Sequence, residues 1–150
     1  MRAVSDTSPI NYLILTEYVY LLPELYDEIV IPEMVFKELT SPAAPAMVRN
    51  WFFASPEWLQ VRKTNKTDPK LKLSGGEREA VLLAGRDSNG FVFNDERTGR
   101  REASQRNLAV IGTLGIIRAA ADDGLLDPVE AVTRLIKTTF RASPKLLRLL

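Results

Sequence analysis

Carboxylates are the side chains in this sequence best placed to do chemistry, and four of them stand at the edges of apolar segments. Asp6 closes the stretch Ala3-Val4-Ser5, and Glu38 follows the run 30–37. Glu77 opens a helix-like segment over 75–84, and Asp95 follows the strand-like Phe91-Val92-Phe93-Asn94. The chain has no His and no Cys. Carboxylates are then the strong metal ligands available, and oxygen donors select hard cations, Mg²⁺ or Mn²⁺, over zinc or copper. The same absences remove the usual general base, the Ser-His-Asp and Cys-His nucleophiles, disulfides and structural zinc.

Sites that use hard cations need several carboxylate oxygens and little else. Two-metal centres hold their ions about 3.5–4 Å apart, and Mg²⁺ takes only one or two carboxylates, completing its shell with water and substrate phosphate. Four acids brought into one cleft would supply about the right number. Each has a plainer reading. Asp6 could cap a helix, and Glu77 could be the reciprocal half of a capping box with Ser74. Glu38 could face solvent on its helix, and Asp95 could belong to a turn. Just after Asp95, Arg97, Arg100, Arg101 and Arg106 fall within ten residues. Guanidinium forks suit phosphates, although a solvated helix face or pairing with Glu96 and Glu102 would use the same residues.

Positioning those acids requires strands and helices in alternation. Residues 2–6 read as a first strand, and Ser8-Pro9 as a helix start, with Ser8 as cap. A short second helix is expected over 17–22, interrupted at Pro23, and a β-branched strand over 28–31. Pro32 then opens a helix reaching about Thr40. The breaker Ser41-Pro42-Ala43-Ala44-Pro45 precedes a helix near 44–53, and 59–61 is a weak strand. The polar residues 62–73 read as a mobile surface loop. Ser74 caps a helix to about Arg86, 91–94 is a strand, 97–106 a helix and 108–111 another strand. A helix over 113–123 ends at Gly124, and helices over 128–138 and 144–150 finish the chain. Strands separated by helices predict a parallel sheet covered on both faces; the order of its strands is not readable from the pattern. In such a sheet ligands bind outside the carboxyl ends of the strands, where Asp6 and Asp95 both fall.

The length of 150 residues suits one domain, 1–150, and the net charge of +1 with 45% hydrophobic residues is that of an ordinary globular protein. Near-neutrality argues against coating nucleic acid by bulk charge and leaves room for a local basic groove. No stretch approaches the ~18 apolar residues of a membrane span, and the N-terminus lacks the apolar core of a signal peptide. A cytoplasmic location is therefore expected. There is no Walker-type phosphate loop, and Gly75-Gly76 is too short to cradle phosphates. Gly112-Thr113-Leu114-Gly115 reads as tight strand-to-helix packing.

The order of these segments resembles a known family. Asp6-Thr7-Ser8-Pro9, then 31–39 ending in Glu38-Leu39, Ser74-Gly75-Gly76-Glu77-Arg78-Glu79-Ala80, Asn94–Ala103 and Gly112-Thr113-Leu114-Gly115 resemble PIN domains. More narrowly, they resemble a prokaryotic PIN-like group of nucleic-acid-binding proteins related to the toxins of VapBC toxin–antitoxin modules. The resemblance implies an α/β/α sandwich with a central, mainly parallel sheet, and a Mg²⁺- or Mn²⁺-dependent endoribonuclease acting on RNA. It implies Asp6, Glu38, Glu77 and Asp95 as catalytic metal ligands, an antitoxin protein as a partner, and a homodimer. Glu79 competes with Glu77 for the third position, and Glu77 fits the family's spacing better. Thr7 or Ser8 would bond a metal-bound water or a phosphate, and Arg97, Arg100 and Arg101 would hold the RNA backbone. Where many relatives carry two consecutive acids this chain has Asn94-Asp95, and Asn94 could coordinate through its carbonyl or orient a water. Trp51, Phe52, Phe53 and Trp58 read either as apolar residues of a dimer surface or, equally well, as core. The rival from another class is a PIN fold that binds RNA or protein without cutting.

Overall fold

A computed structural model describes residues 2–63, 75–86 and 91–140. The chain runs β1 (Arg2–Ser5), α1 (Thr7–Leu15), α2 (Leu22–Leu25), β2 (Glu28–Pro32), α3 (Glu33–Leu39), α4 (Ala46–Trp51) and β3 (Leu59–Arg62). It continues through α5 (Gly75–Arg86), β4 (Phe91–Phe93), α6 (Arg97–Gln105), β5 (Ala109–Ile111), α7 (Thr113–Asp122) and α8 (Pro128–Ile136). Single 3₁₀ turns occupy Val19–Leu21 and Phe52–Ala54. The five strands form one sheet in the order β3-β2-β1-β4-β5, and every pairing is parallel.

Strand alternation explains the two covered faces. Successive strand side chains point to opposite sides of a sheet, and the buried residues divide accordingly. Ala3, Ile29, Ile31 and Phe93 join the cluster built with Ile10, Leu13, Val35, Leu39 and Val48. Val4, Val30 and Val92 join the other, with Ala80, Val81 and Ala84 of α5 and Ala103 of α6. Strands buried on both faces are short apolar runs, as parallel sheets require. A third cluster, Ile117, Ala131 and Leu135, fixes α8 on α7. The expected three-layer α/β/α sandwich is the architecture found.

Local departures have local causes. The helix start expected at Ser8-Pro9 lies earlier: α1 begins at Thr7, Asp6 stands in the capping position, and Ser8 is inside the helix. The helix expected over 17–22 is a 3₁₀ turn followed by the short α2, because Glu17 takes a positive φ of 65° that ends the preceding helix. Of the two readings of the aromatics, Trp51, Phe52 and Trp58 take the core one, packing partly buried against the larger cluster. Phe52 stacks edge-on with Phe36 at 5.6 Å, and only Phe53 of the four is open, at 88% exposure. Gly115 bears out the tight-packing reading, since a Cβ there would collide with Ile111. Residues 64–73 of the expected surface loop, the Ser74 cap and the helix expected over 144–150 lie outside the described residues. Among the described residues no helix is long and apolar enough to cross a membrane.

Candidate active site

The strand order places β1 beside β4, and the sheet's connections reverse direction between them. At that switch point the carboxyl ends of adjacent strands splay their following loops apart and leave a crevice. The Asp6 amide donates to the Phe93 carbonyl at 3.0 Å and the Asn94 amide to the Ile111 carbonyl at 3.0 Å, so Asp6 and Asn94 prolong the ladder side by side. The crevice here is a cavity of about 280 Å³ lined by Asp6, Thr7, Ser8, Asn11, Tyr12, Glu38, Glu77 and Glu96.

Asp6 lies at its base. The residue is 4% exposed and stands at the capping position of α1 without the usual side-chain capping bond. Burial pushes its carboxyl up to about 7; a hydrogen bond from the Thr7 amide opposes that rise, and Glu77, Glu38 and Asp95 add to it. Glu77, at the start of α5, is raised too, first by burial and then by Glu96 and Glu38. Glu38 reaches the cleft from the last turns of α3, where the Thr7 hydroxyl donates to its Oε2. A Cβ on Gly76 would stand 2.8 Å from Glu38 Oε1, so the glycine admits that carboxylate against α5.

Asp95 adjoins this group and is held firmly. Its Oδ1 accepts from the Thr113 amide at 2.6 Å, and its Oδ2 accepts from the Thr113 hydroxyl at 2.6 Å and the Ser8 hydroxyl at 3.0 Å. It thereby ties the start of α7 to α1. Gly112 gives it room, since a Cβ there would lie 2.8 Å from Oδ1.

The structure gathers Asp6, Glu38 and Glu77 around one cavity, with Asp95 beside them. It separates two others. Glu79 does not line the cavity, and its Oε2 accepts from the Met34 amide at 3.1 Å. Asn94 is fully buried and is not open to the cleft: its Oδ1 accepts from the Glu96 amide at 2.7 Å, and its Nδ2 is buried without a partner among the described residues, against Gly99. The acid following Asp95, rather than the amide preceding it, faces the cavity. Glu96, Asn11 and Tyr12 were missed by the sequence reading. The adjacent pair Asp95-Glu96 and the helical spacing of Asn11 and Tyr12 from Thr7 and Ser8 were the available signals.

On α6 the buried face is Gly99 and Ala103. Arg97, Arg100 and Arg101 are exposed; Arg97 is three and four residues from the other two, and Arg100 Nη1 would lie 3.8 Å from a Cβ on Gly112, beside Asp95. Among the described residues none of the three forms an ion pair with Glu96 or Glu102. The ridge of arginines begins beside Glu96, at the cleft's mouth.

The donors are all hard oxygens, as a Mg²⁺ or Mn²⁺ site needs, and buried like charges are what a bound cation relieves. Among the described residues, however, no three acids stand in ligating geometry. Hydroxyls donate to Glu38 and Asp95.

A doubly wound parallel sheet with an acidic crevice at its switch point defines the class. The chain belongs to the PIN-domain family, whose model matches residues 2–150; PIN domains are commonly nucleases and typically use divalent metals. Among solved structures it is similar to a PilT N-terminus domain protein from the hyperthermophilic archaeon Sulfolobus solfataricus P2, at 16% identity and a TM-score of 0.54, over 95% of this chain and 100% of that one. At that identity the likeness concerns the fold. No curated protein matches the chain.

Proposed function

We propose that this PIN domain is a Mg²⁺- or Mn²⁺-dependent endoribonuclease. The observation that carries the reading is the convergence of Asp6, Glu38 and Glu77 on one cavity at the switch point, with Asp6 buried and raised to about 7. A buried acid crowded by others is relieved either by taking up a proton or by a bound cation, and above pH 7 the cation is the remaining route. Asp6, Glu38, Glu77 and Asp95 would hold the ion, with Glu96 close by. When bound, the ion lowers the pKa of a water and polarises a phosphoryl oxygen, which supplies the base function that the missing His cannot. Thr7 orients Glu38, while Ser8 and Thr113 orient Asp95. Arg97, Arg100 and Arg101 grip the strand's phosphates beside the cleft.

Engagement of both Asp95 oxygens and the lack of a closed ligand set among the described residues favour a second reading, a non-catalytic module that binds RNA or protein. Mn²⁺ calorimetry and RNA cleavage assays on the native chain, Asp6→Asn and Glu77→Gln separate the two. The nuclease reading expects Mn²⁺ binding and Mn²⁺-dependent cutting in the native chain, both lost or reduced at least a hundredfold in the variants. RNA binding without cutting by either metal hands the case to the binding module. The role of toxin in a toxin–antitoxin pair rests on the VapBC resemblance, and a small adjacent reading frame encoding a DNA-binding antitoxin is its expected genomic sign. Self-pairing rests on the same resemblance, with Phe53 the exposed member of the four aromatics named above. A sedimentation mass of twice 16.8 kDa is expected, and a monomer at high micromolar concentration overturns it.

A further inference from the structure

The first amides of a helix have no partner within it. At α3 the capping position falls on Pro32, whose side chain offers no acceptor. The Met34 amide donates instead to Glu79 Oε2, on α5, at 3.1 Å. Four residues further along α3 stands Glu38, lying against Gly76 of the same α5. Met34 and Glu38 are four apart on one helix, and Glu79 and Gly76 are three apart on the other, so both contacts fall on the facing sides of an antiparallel pair. One contact fixes the start of α3 and the other delivers its carboxylate into the cleft.

We propose that Glu79 is a positioning residue. By anchoring the start of α3 to α5 it sets where Glu38 enters the acidic cavity, and it does so without touching substrate or metal. The effect on metal binding rests on the nuclease reading above; the geometric part does not. An acceptor is what the role requires, so Gln should serve where Ala cannot.

Three measurements on Glu79→Ala and Glu79→Gln test this, at a temperature well below either melting point. Amide hydrogen exchange at Met34 should accelerate several-fold relative to Val35 and Phe36 in the Ala variant and stay near native in Gln. A crystal structure of the Ala variant should show Glu38 displaced from Thr7 and Gly76. Mn²⁺ affinity should fall several-fold in Ala and recover in Gln. In a Glu38→Gln background the Ala change should cost little further affinity, because the two act through one carboxylate. Unchanged Met34 exchange with Glu38 in place, or fully additive losses in the double variant, overturns the proposal. Failure of Gln to rescue also overturns it, by making charge rather than acceptance the operative property. A native chain that binds no Mn²⁺ and cuts no RNA sinks the nuclease reading, while exchange and crystallography still decide the positioning role.

Discussion

At the scale of single residues, Asp6 links stability to function through its proton. Its folded value of about 7 lies above the ordinary aspartate value of 3.8. A carboxyl raised in this way contributes stability that is fully present below the unfolded value and is lost as pH rises through the folded one. Between about pH 4 and 7 the metal-free native chain should therefore lose up to about 1.4 kcal/mol per pH unit relative to Asp6→Asn, and run parallel to it above 7. At pH 8 the metal-free variant should melt above the native chain, while Mn²⁺ should raise the native melting temperature and leave the variant nearly unmoved. Calorimetric melts across pH check this, and superimposable pH profiles for the two proteins would refute it. Asp6 was legible because a strand end and a missing His both pointed to it. Asn94 was not, because the direction of a side chain just past a strand depends on the turn that follows. Its carbonyl bonds the amide two residues on, a turn habit of Asn, and this rotates Glu96 rather than Asn94 towards the cavity.

At the scale of elements, the packing of α3 on α5 makes a substitution whose effects on stability and activity should diverge. Ala at Gly76 gains up to about 1 kcal/mol of helix propensity. Its Cβ would stand 2.8 Å from Glu38 Oε1 and 3.1 Å from Val35 Cγ2. The first neighbour is the tip of a flexible side chain and can swing aside; the second must yield by a few tenths of an ångström. Gly76→Ala should therefore change stability by less than about 1 kcal/mol while displacing Glu38, with Mn²⁺-dependent cleavage reduced tenfold or more. Denaturant melts and cleavage rates measured together check it, and full activity would show that Glu38 need not lie against α5. Gly99→Ala should differ, because its Cβ would meet the buried Asn94 amide, and overpacking of that kind costs about 1–3 kcal/mol. Element identity was well marked by Pro32, Gly124 and the apolar periods. The exact start of α1 and the break at Glu17 escaped because each is decided by one or two dihedral angles.

At the scale of the whole molecule, the crevice exists because β1, first in sequence, lies between β2 and β4. That order depends on pairing across the long interval from Val4 to Val92, which no local pattern encodes, although parallelism and the two covered faces could be foreseen from composition and alternation. The same placement sets α6, with its arginines, beside the acidic cavity, so two regions of opposite sign adjoin in a chain of net charge +1. With so little net charge, RNA affinity should depend on local phosphate pairing and so report on the ridge. Removing one arginine–phosphate pair from a single-stranded complex should flatten the plot of log affinity against log salt by about 0.7. Arg97→Ala, Arg100→Ala and Arg101→Ala should each weaken binding in this graded way, and the triple variant should remove roughly 2 from the slope. In Arg97→Ala and Arg101→Ala the Mn²⁺ affinity should stay near the native value, whereas Arg100→Ala removes a cation lying near Asp95. Filter-binding titrations from 50 to 300 mM salt, about the range over which such pairs are screened, make the measurement. An unchanged slope in the triple variant would place the RNA path on another face of the domain and detach the ridge from the cleft.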